Sequence, residues 1–296
     1  YSSTPTSLIA ESPSFSDKIT AKLDKSDTLI MLDEHKFLTD AKPGQDIPTV
    51  QFERITARSG QNSRHHVFFG TIFTESYAQD IAVKVYDQEQ GGAQLLVREV
   101  VKTSKIGDSG LKIFSPIGLG AYGQSYYSFW KLEKQISTLD SIDWSYFADD
   151  IPGNPGMVSI LRKAAKTAAH LHSNGWAHAD FHPRNLALDV TGSVFPIDWE
   201  TANLDTVSID DPETRYQKAY LDLSSFMTGC FYGLEHFNAG IGIFENVPNE
   251  EASNLFDSLF LEHYVKFRDM YSDDQRELHD IPQLVRDLHQ LPDMIR

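Results

Sequence analysis

His178-Ala-Asp180-Phe-His182-Pro-Arg-Asn185, followed by Phe195-Pro-Ile-Asp198-Trp-Glu200, is the stretch on which the reading of this chain turns. Leu186-Ala-Leu188 reads as a strand, Asp189-Val-Thr-Gly192 as a turn, and Ser193-Val-Phe-Pro-Ile197 as the returning strand. Such a hairpin sets Asp198 beside Asn185. The result is one carboxylate, one amide and a second carboxylate drawn from three backbone segments. Hard cations take oxygen ligands, so Asn185 and Asp198 are candidate Mg²⁺ ligands. Asp180 is the candidate group for orienting or deprotonating a hydroxyl. That division of labour suits phosphoryl transfer, where the protein mainly positions groups and neutralises charge.

Such chemistry also needs a lysine on a strand to reach phosphates, and a helical glutamate to hold that lysine. Asp80-Ile-Ala-Val-Lys84-Val-Tyr86 alternates as a strand. The following Ala93 to Thr103 is helical in pattern, with Leu95, Leu96, Glu99, Val100 and Thr103 on one face. A carboxylate on an apolar stripe needs a partner, and Lys84 is the candidate for Glu99.

In these motifs the chain resembles the protein-kinase-like superfamily over roughly residues 50 to 296. Asp180 and Asn185 match the spacing of the H-R-D loop, Asp198 matches the Asp of D-F-G, and the Lys84 strand resembles V-A-I-K. The wording around His178 is similar to the atypical branch: aminoglycoside and choline phosphotransferases, lipopolysaccharide sugar kinases and quinone-biosynthesis kinases. The resemblance implies an α+β, two-lobed fold, with a small antiparallel-sheet N-lobe carrying one key helix and a larger, mostly helical C-lobe. It implies ATP with Mg²⁺, or Mn²⁺ in its place. It also makes Asp222 the buried residue that braces the catalytic loop, and His178 a structural histidine rather than a zinc ligand.

The chain departs from the family pattern at several points. No G-x-G-x-x-G precedes Lys84. Ser59, Gly60 and Ser63 in the loop before it are the candidate phosphate contacts. Trp199 and Glu200 stand where the family has Phe and Gly, which disfavours a flipping activation switch. No A-P-E follows.

Net charge is −16 over 296 residues, which argues against a nucleic-acid backbone as partner. Apolar content of 41% fits an ordinary globular chain. No run approaches a membrane span. The single cysteine, Cys230, lies in an apolar stretch and fits a reducing, cytoplasmic setting.

Along the chain, residues 1–48 read as a Ser/Thr/Pro-rich tail followed by an extension of helix or strand. Residues 49–131 read as the N-lobe and 132–296 as the C-lobe. Lys131 to Lys134, including Glu133, form the expected hinge at which adenine would bind. Asn154-Pro-Gly156 opens a helix that Asn174-Gly175 closes. Three functions follow. The favoured one is a kinase acting on the hydroxyl of a small molecule. The others are a Ser/Thr protein kinase with a protein substrate and a pseudokinase scaffold. Trp199 to Tyr220 is expected to shape the acceptor side through Asp205, Asp210, Asp211 and Glu213, favouring a cationic or sugar-like acceptor.

Overall fold

The structure is a computed structural model, and it describes residues 28–33, 36–38, 49–54, 66–73, 78–87, 92–114, 116–122, 124–132, 136–142, 155–204, 211–232, 244, 249–271 and 281–295. The chain divides into two units, residues 1–134 and 135–296. Both mix helix with small antiparallel sheets, and the second is mostly helical.

In the first unit the described strands are β1 (Thr28–Asp33), β2 (Lys36–Leu38), β3 (Thr49–Arg54), β4 (His66–Phe73), β5 (Ala78–Asp87), β6 (Pro116–Tyr122) and β7 (Ser125–Lys131). They form one antiparallel sheet in the order β2-β1-β6-β7-β5-β4-β3. The described residues before 49 are strand: β1 pairs with β6 and carries β2 on its outer side.

Helix α1 (Gly92–Asp108) packs on this sheet. Strand periodicity decides what it meets. Ile81 and Val83 are buried on one face of β5. Ala82, Lys84 and Tyr86 share the other face, where Ala82 and Tyr86 join Leu96, Val97, Val100, Tyr126 and Trp130 in the core under α1. Helical periodicity brings Leu96, Glu99, Val100 and Thr103 to the buried side of α1. The sequence thus points a lysine and a glutamate into the same apolar layer.

In the second unit, β8 (Ser137–Thr138), β9 (Leu186–Leu188) and β10 (Val194–Pro196) make a three-stranded sheet. Helix α2 (Pro155–Ser173) buries Leu161, Ala164, Ala165, Ala168 and Leu171. It ends in a glycine cap. Gly175 takes a φ of 68°, its N–H bonds His172 O at 3.0 Å, and Trp176 N–H bonds Leu171 O at 3.1 Å. Helix α3 (Pro212–Tyr232), helix α4 (Asn249–Phe256), a π-turn (Asp257–Leu261), α5 (Glu262–Tyr271) and α6 (Ile281–Ile295) complete the unit.

An aromatic column lies beneath the 178–185 loop. Phe181 packs on Phe226 of α3, and Phe226 on Phe256 and Phe260. Cys230 is buried and unpaired in the same helix, and burial pushes its thiol pKa well up. Gly229 of α3 faces the loop so closely that a Cβ there would lie 2.5 Å from Pro183 Cδ. A prolyl ring in a one-turn helix cannot swing away, so Gly229→Ala should cost about 1–3 kcal/mol by overpacking. Chemical denaturation of the full chain checks this.

Candidate functional site

Asp222 of α3 organises the polar loop. Its carboxylate is fully buried and accepts three hydrogen bonds. His178 N–H donates to Oδ2 at 2.7 Å, Ala179 N–H to Oδ1 at 2.7 Å, and His172 Nε2 lies 3.1 Å from Oδ2. Two successive backbone donors are thereby turned toward one anion. Ala179 adopts a φ of 62°, which a non-glycine residue holds only when its surroundings impose it. Asp198 shares that φ of 62°.

Behind Asp222 stands a second layer. Tyr264 of α5 lies 2.9 Å from His172 Nδ1. Burial lowers the pKa of His172, so its ring is neutral at pH 7. A carboxylate can only accept, so Nε2 carries the proton toward Asp222 and Nδ1 accepts from the Tyr264 hydroxyl. Burial likewise raises Tyr264, to about 12, keeping that hydroxyl a donor.

His178 is buried, with Nε2 2.9 Å from Ile197 O and its ring 4.7 Å from that of Trp199. Burial lowers its pKa. A neutral ring donating to a backbone carbonyl is a structural brace, tying the loop to Ile197, just after β10. Trp199 is itself buried.

The loop then presents its polar groups. Asn185 Nδ2 donates to Asp180 Oδ2 at 2.8 Å and to Asp180 O at 3.0 Å. His182 Nε2 lies 3.2 Å from Asp180 Oδ1. Both carboxylate oxygens are thus held from the loop itself. Burial alone would raise the pKa of Asp180, but His182 and Asn185 outweigh it and bring it below the ordinary value. Ile197 N–H bonds Asn185 O at 2.9 Å, so the hairpin does bring Asp198 next to Asn185 in backbone pairing. The turn is closed by Asp189, whose Oδ1 accepts from Thr191 N–H at 2.7 Å and Ser193 N–H at 2.9 Å. The oxygens of Asn185 and Asp198 are the donor types a hard divalent cation takes.

The first unit holds the other cluster. Lys84 Nζ lies 3.0 Å from Glu99 Oε2, and both side chains are at least nine-tenths buried. Tyr86 donates its hydroxyl to the same carboxylate oxygen. Sequence reasoning passed over Tyr86, although it follows Lys84 by two positions on one strand and so shares its face. It also passed over His172 and Tyr264, which carry no local signal because only tertiary packing joins them to Asp222.

Other expectations fall differently. Ser59, Gly60, Ser63 and Glu133 lie outside the described residues, as do Asp205 and Asp210. Asp211 caps α3, with Oδ2 bonded to the hydroxyl and backbone N–H of Thr214. Those hydrogen bonds, chiefly the hydroxyl's, lower its pKa. Lys218 is buried and donates to Gly175 O at 2.8 Å, closing the end of α2. Among the described residues, no helix is long and apolar enough to cross a membrane.

No protein-family model matches the chain, and no curated protein matches it. Among solved structures, the chain is similar to WaaP in complex with acyl carrier protein. The TM-score is 0.40 and the identity 15%, over 75% of this chain and 85% of that one. A likeness at this level carries no argument about activity, so function must be argued from the two clusters.

Two outcomes test the Asp222 network. Asp222→Asn substitutes one N–H₂ donor where only donors converge, and should cost about 3 kcal/mol, since hydrogen bonds to a charged group are worth roughly 1.5–3 kcal/mol each. Urea unfolding measures it. The second outcome concerns pH. His172 and His178 have folded pKa values below their ordinary 6.5, so the folded state binds fewer protons than the unfolded chain. Their contribution is complete above the unfolded pKa and is lost as pH falls through it toward the folded pKa. Stability should therefore decline between about pH 7 and pH 5, and less steeply in His172→Gln.

Proposed function

We propose that the protein is an ATP-dependent phosphotransferase that moves the γ-phosphate of Mg·ATP to a hydroxyl, with a small molecule as acceptor. The observation that carries this reading is the loop in which Asp180 is hydrogen-bonded to Asn185, while Asn185 is backbone-paired to the residue before Asp198. The buried Lys84–Glu99 pair supports it as the phosphate-binding half.

Each residue has a distinct task. Lys84 would donate to phosphate oxygens, and Glu99 would hold its ammonium in line. Asn185 Oδ1 and the Asp198 carboxylate would hold the metal ion. Bound there, Mg²⁺ or Mn²⁺ would neutralise charge on the phosphates. Asp180 would receive the acceptor hydroxyl. Because its pKa lies below the ordinary value, it is ionised at neutral pH and a weak base. Its role is therefore mainly to orient the hydroxyl, which suits a transition state with little bond formation to the nucleophile.

A small-molecule acceptor is favoured by the residue after Asp198. Trp199 is buried against His178, so the segment that leaves the loop is anchored at its start.

The test is transfer of γ-labelled phosphate from ATP to metabolite and protein pools. Asp180→Asn should lower the rate at least about a hundredfold while leaving Mg·ATP affinity nearly unchanged, because orienting the hydroxyl is a transition-state role. Asp198→Asn should additionally weaken the Mg-dependent thermal shift given by ATP. A parent that bound Mg·ATP but transferred nothing would identify a binding scaffold instead. Equal turnover by Asp180→Asn and parent would remove Asp180 from the site.

A further inference from the structure

The Lys84–Glu99 pair belongs to a longer chain of hydrogen bonds. Trp130 Nε1 donates to Ser128 Oγ at 2.7 Å, and Ser128 Oγ reaches the Tyr86 hydroxyl at 3.4 Å. The Tyr86 hydroxyl donates to Glu99 Oε2, the oxygen that also takes Lys84 Nζ at 3.0 Å. The five groups come from two neighbouring strands and the helix above them. Lys84 stands opposite Ser128 in the β5–β7 register. All five side chains are buried.

The polarity of this chain is set by its ends. An indole N–H can only donate and a carboxylate can only accept. Every hydroxyl between them must therefore point toward Glu99, and aligned donors strengthen one another. The Tyr86 ring also lies beneath the ammonium, 5.4 Å from Lys84 Nζ to the ring centroid. Tyr86 thus touches both members of the pair.

We propose that Tyr86 is a positioning residue: it fixes the Glu99 carboxylate from the sheet side, so that Lys84 is aimed before any nucleotide arrives. The proposal rests on the phosphotransferase reading above and extends it. When Lys84 turns donors toward a phosphate, Glu99 Oε2 still accepts from the Tyr86 hydroxyl. The Tyr86 hydroxyl keeps that oxygen satisfied. Glu99, and α1 with it, then has no reason to move as phosphate binds and leaves.

The test is a double-mutant cycle in the full chain, Tyr86→Phe against Glu99→Gln. It is read by acylation of Lys84 Nζ with an acyl-phosphate derivative of ATP. Peptide mass spectrometry follows the labelling with and without excess Mg·ATP. Each single variant should slow ATP-protectable labelling of Lys84 about tenfold, the scale of one hydrogen bond to a charged group. The double variant should be no slower than Glu99→Gln, because Tyr86 acts through Glu99. Incorporating 3-fluorotyrosine at position 86, which keeps the hydroxyl, should restore the parental rate. If circular dichroism shows Tyr86→Phe unfolded, Ser128→Ala takes its place in the cycle, and its effect must vanish in the Glu99→Gln background. Parental labelling by Tyr86→Phe, or effects that multiply in the double variant, would overturn the proposal and leave the phosphotransferase reading intact. Labelling of parental Lys84 that Mg·ATP does not suppress would overturn both.

Discussion

One buried carboxylate governs the geometry of the polar loop. Asp222 lies inside the second unit and takes three donors, two of them successive backbone N–H groups. Immediately beyond these two donors Ala179 holds a left-handed conformation, which L-residues avoid. The strain is sustained because an unpaired buried carboxylate would cost more than the strain itself. Everything the loop presents follows from this constraint: the orientation of Asp180, the reach of Asn185 back to it, and the pairing of Ile197 with Asn185.

Support for Asp222 comes from the side as well as from the loop. His172 contributes a neutral donor from α2, and Tyr264 of α5 supports it from behind. Phe181, Phe226, Phe256 and Phe260 pack on one another as a buried aromatic column in the same unit. Low local polarity strengthens each hydrogen bond and raises the penalty for losing one. Close packing at Gly229 against Pro183 fixes the loop's depth over α3.

The first unit solves a similar problem with opposite means. There a buried ammonium and a buried carboxylate face one another, and such a pair stabilises only if its remaining hydrogen-bonding capacity is met. Tyr86 and the chain behind it meet that need on the carboxylate side. In both units, a buried carboxylate is held by neutral donors whose direction is dictated by what lies behind them.

Much of this was legible in residue order. Lys84 and Glu99 could be paired because strand period 2 and helix period 3.6 each sent a charge into an apolar layer, and two such charges need one another. The 189–192 turn was legible because Asp189 and Gly192 are residues a tight hairpin demands, and Gly175 marked the end of α2 for the same reason. The sequence by itself therefore determined the alternation of strand and helix and the loop's inventory of oxygen donors, since both rest on local periodicity and backbone preference. Tertiary structure alone decided that β1 joins the sheet beside β6 and that Lys218 closes α2. It alone decided that His172 and Tyr264 stand behind Asp222, residues separated along the chain by up to 92 positions. Contacts of that kind depend on how helices pack, and packing is fixed by complementary surfaces that no local stretch of sequence contains.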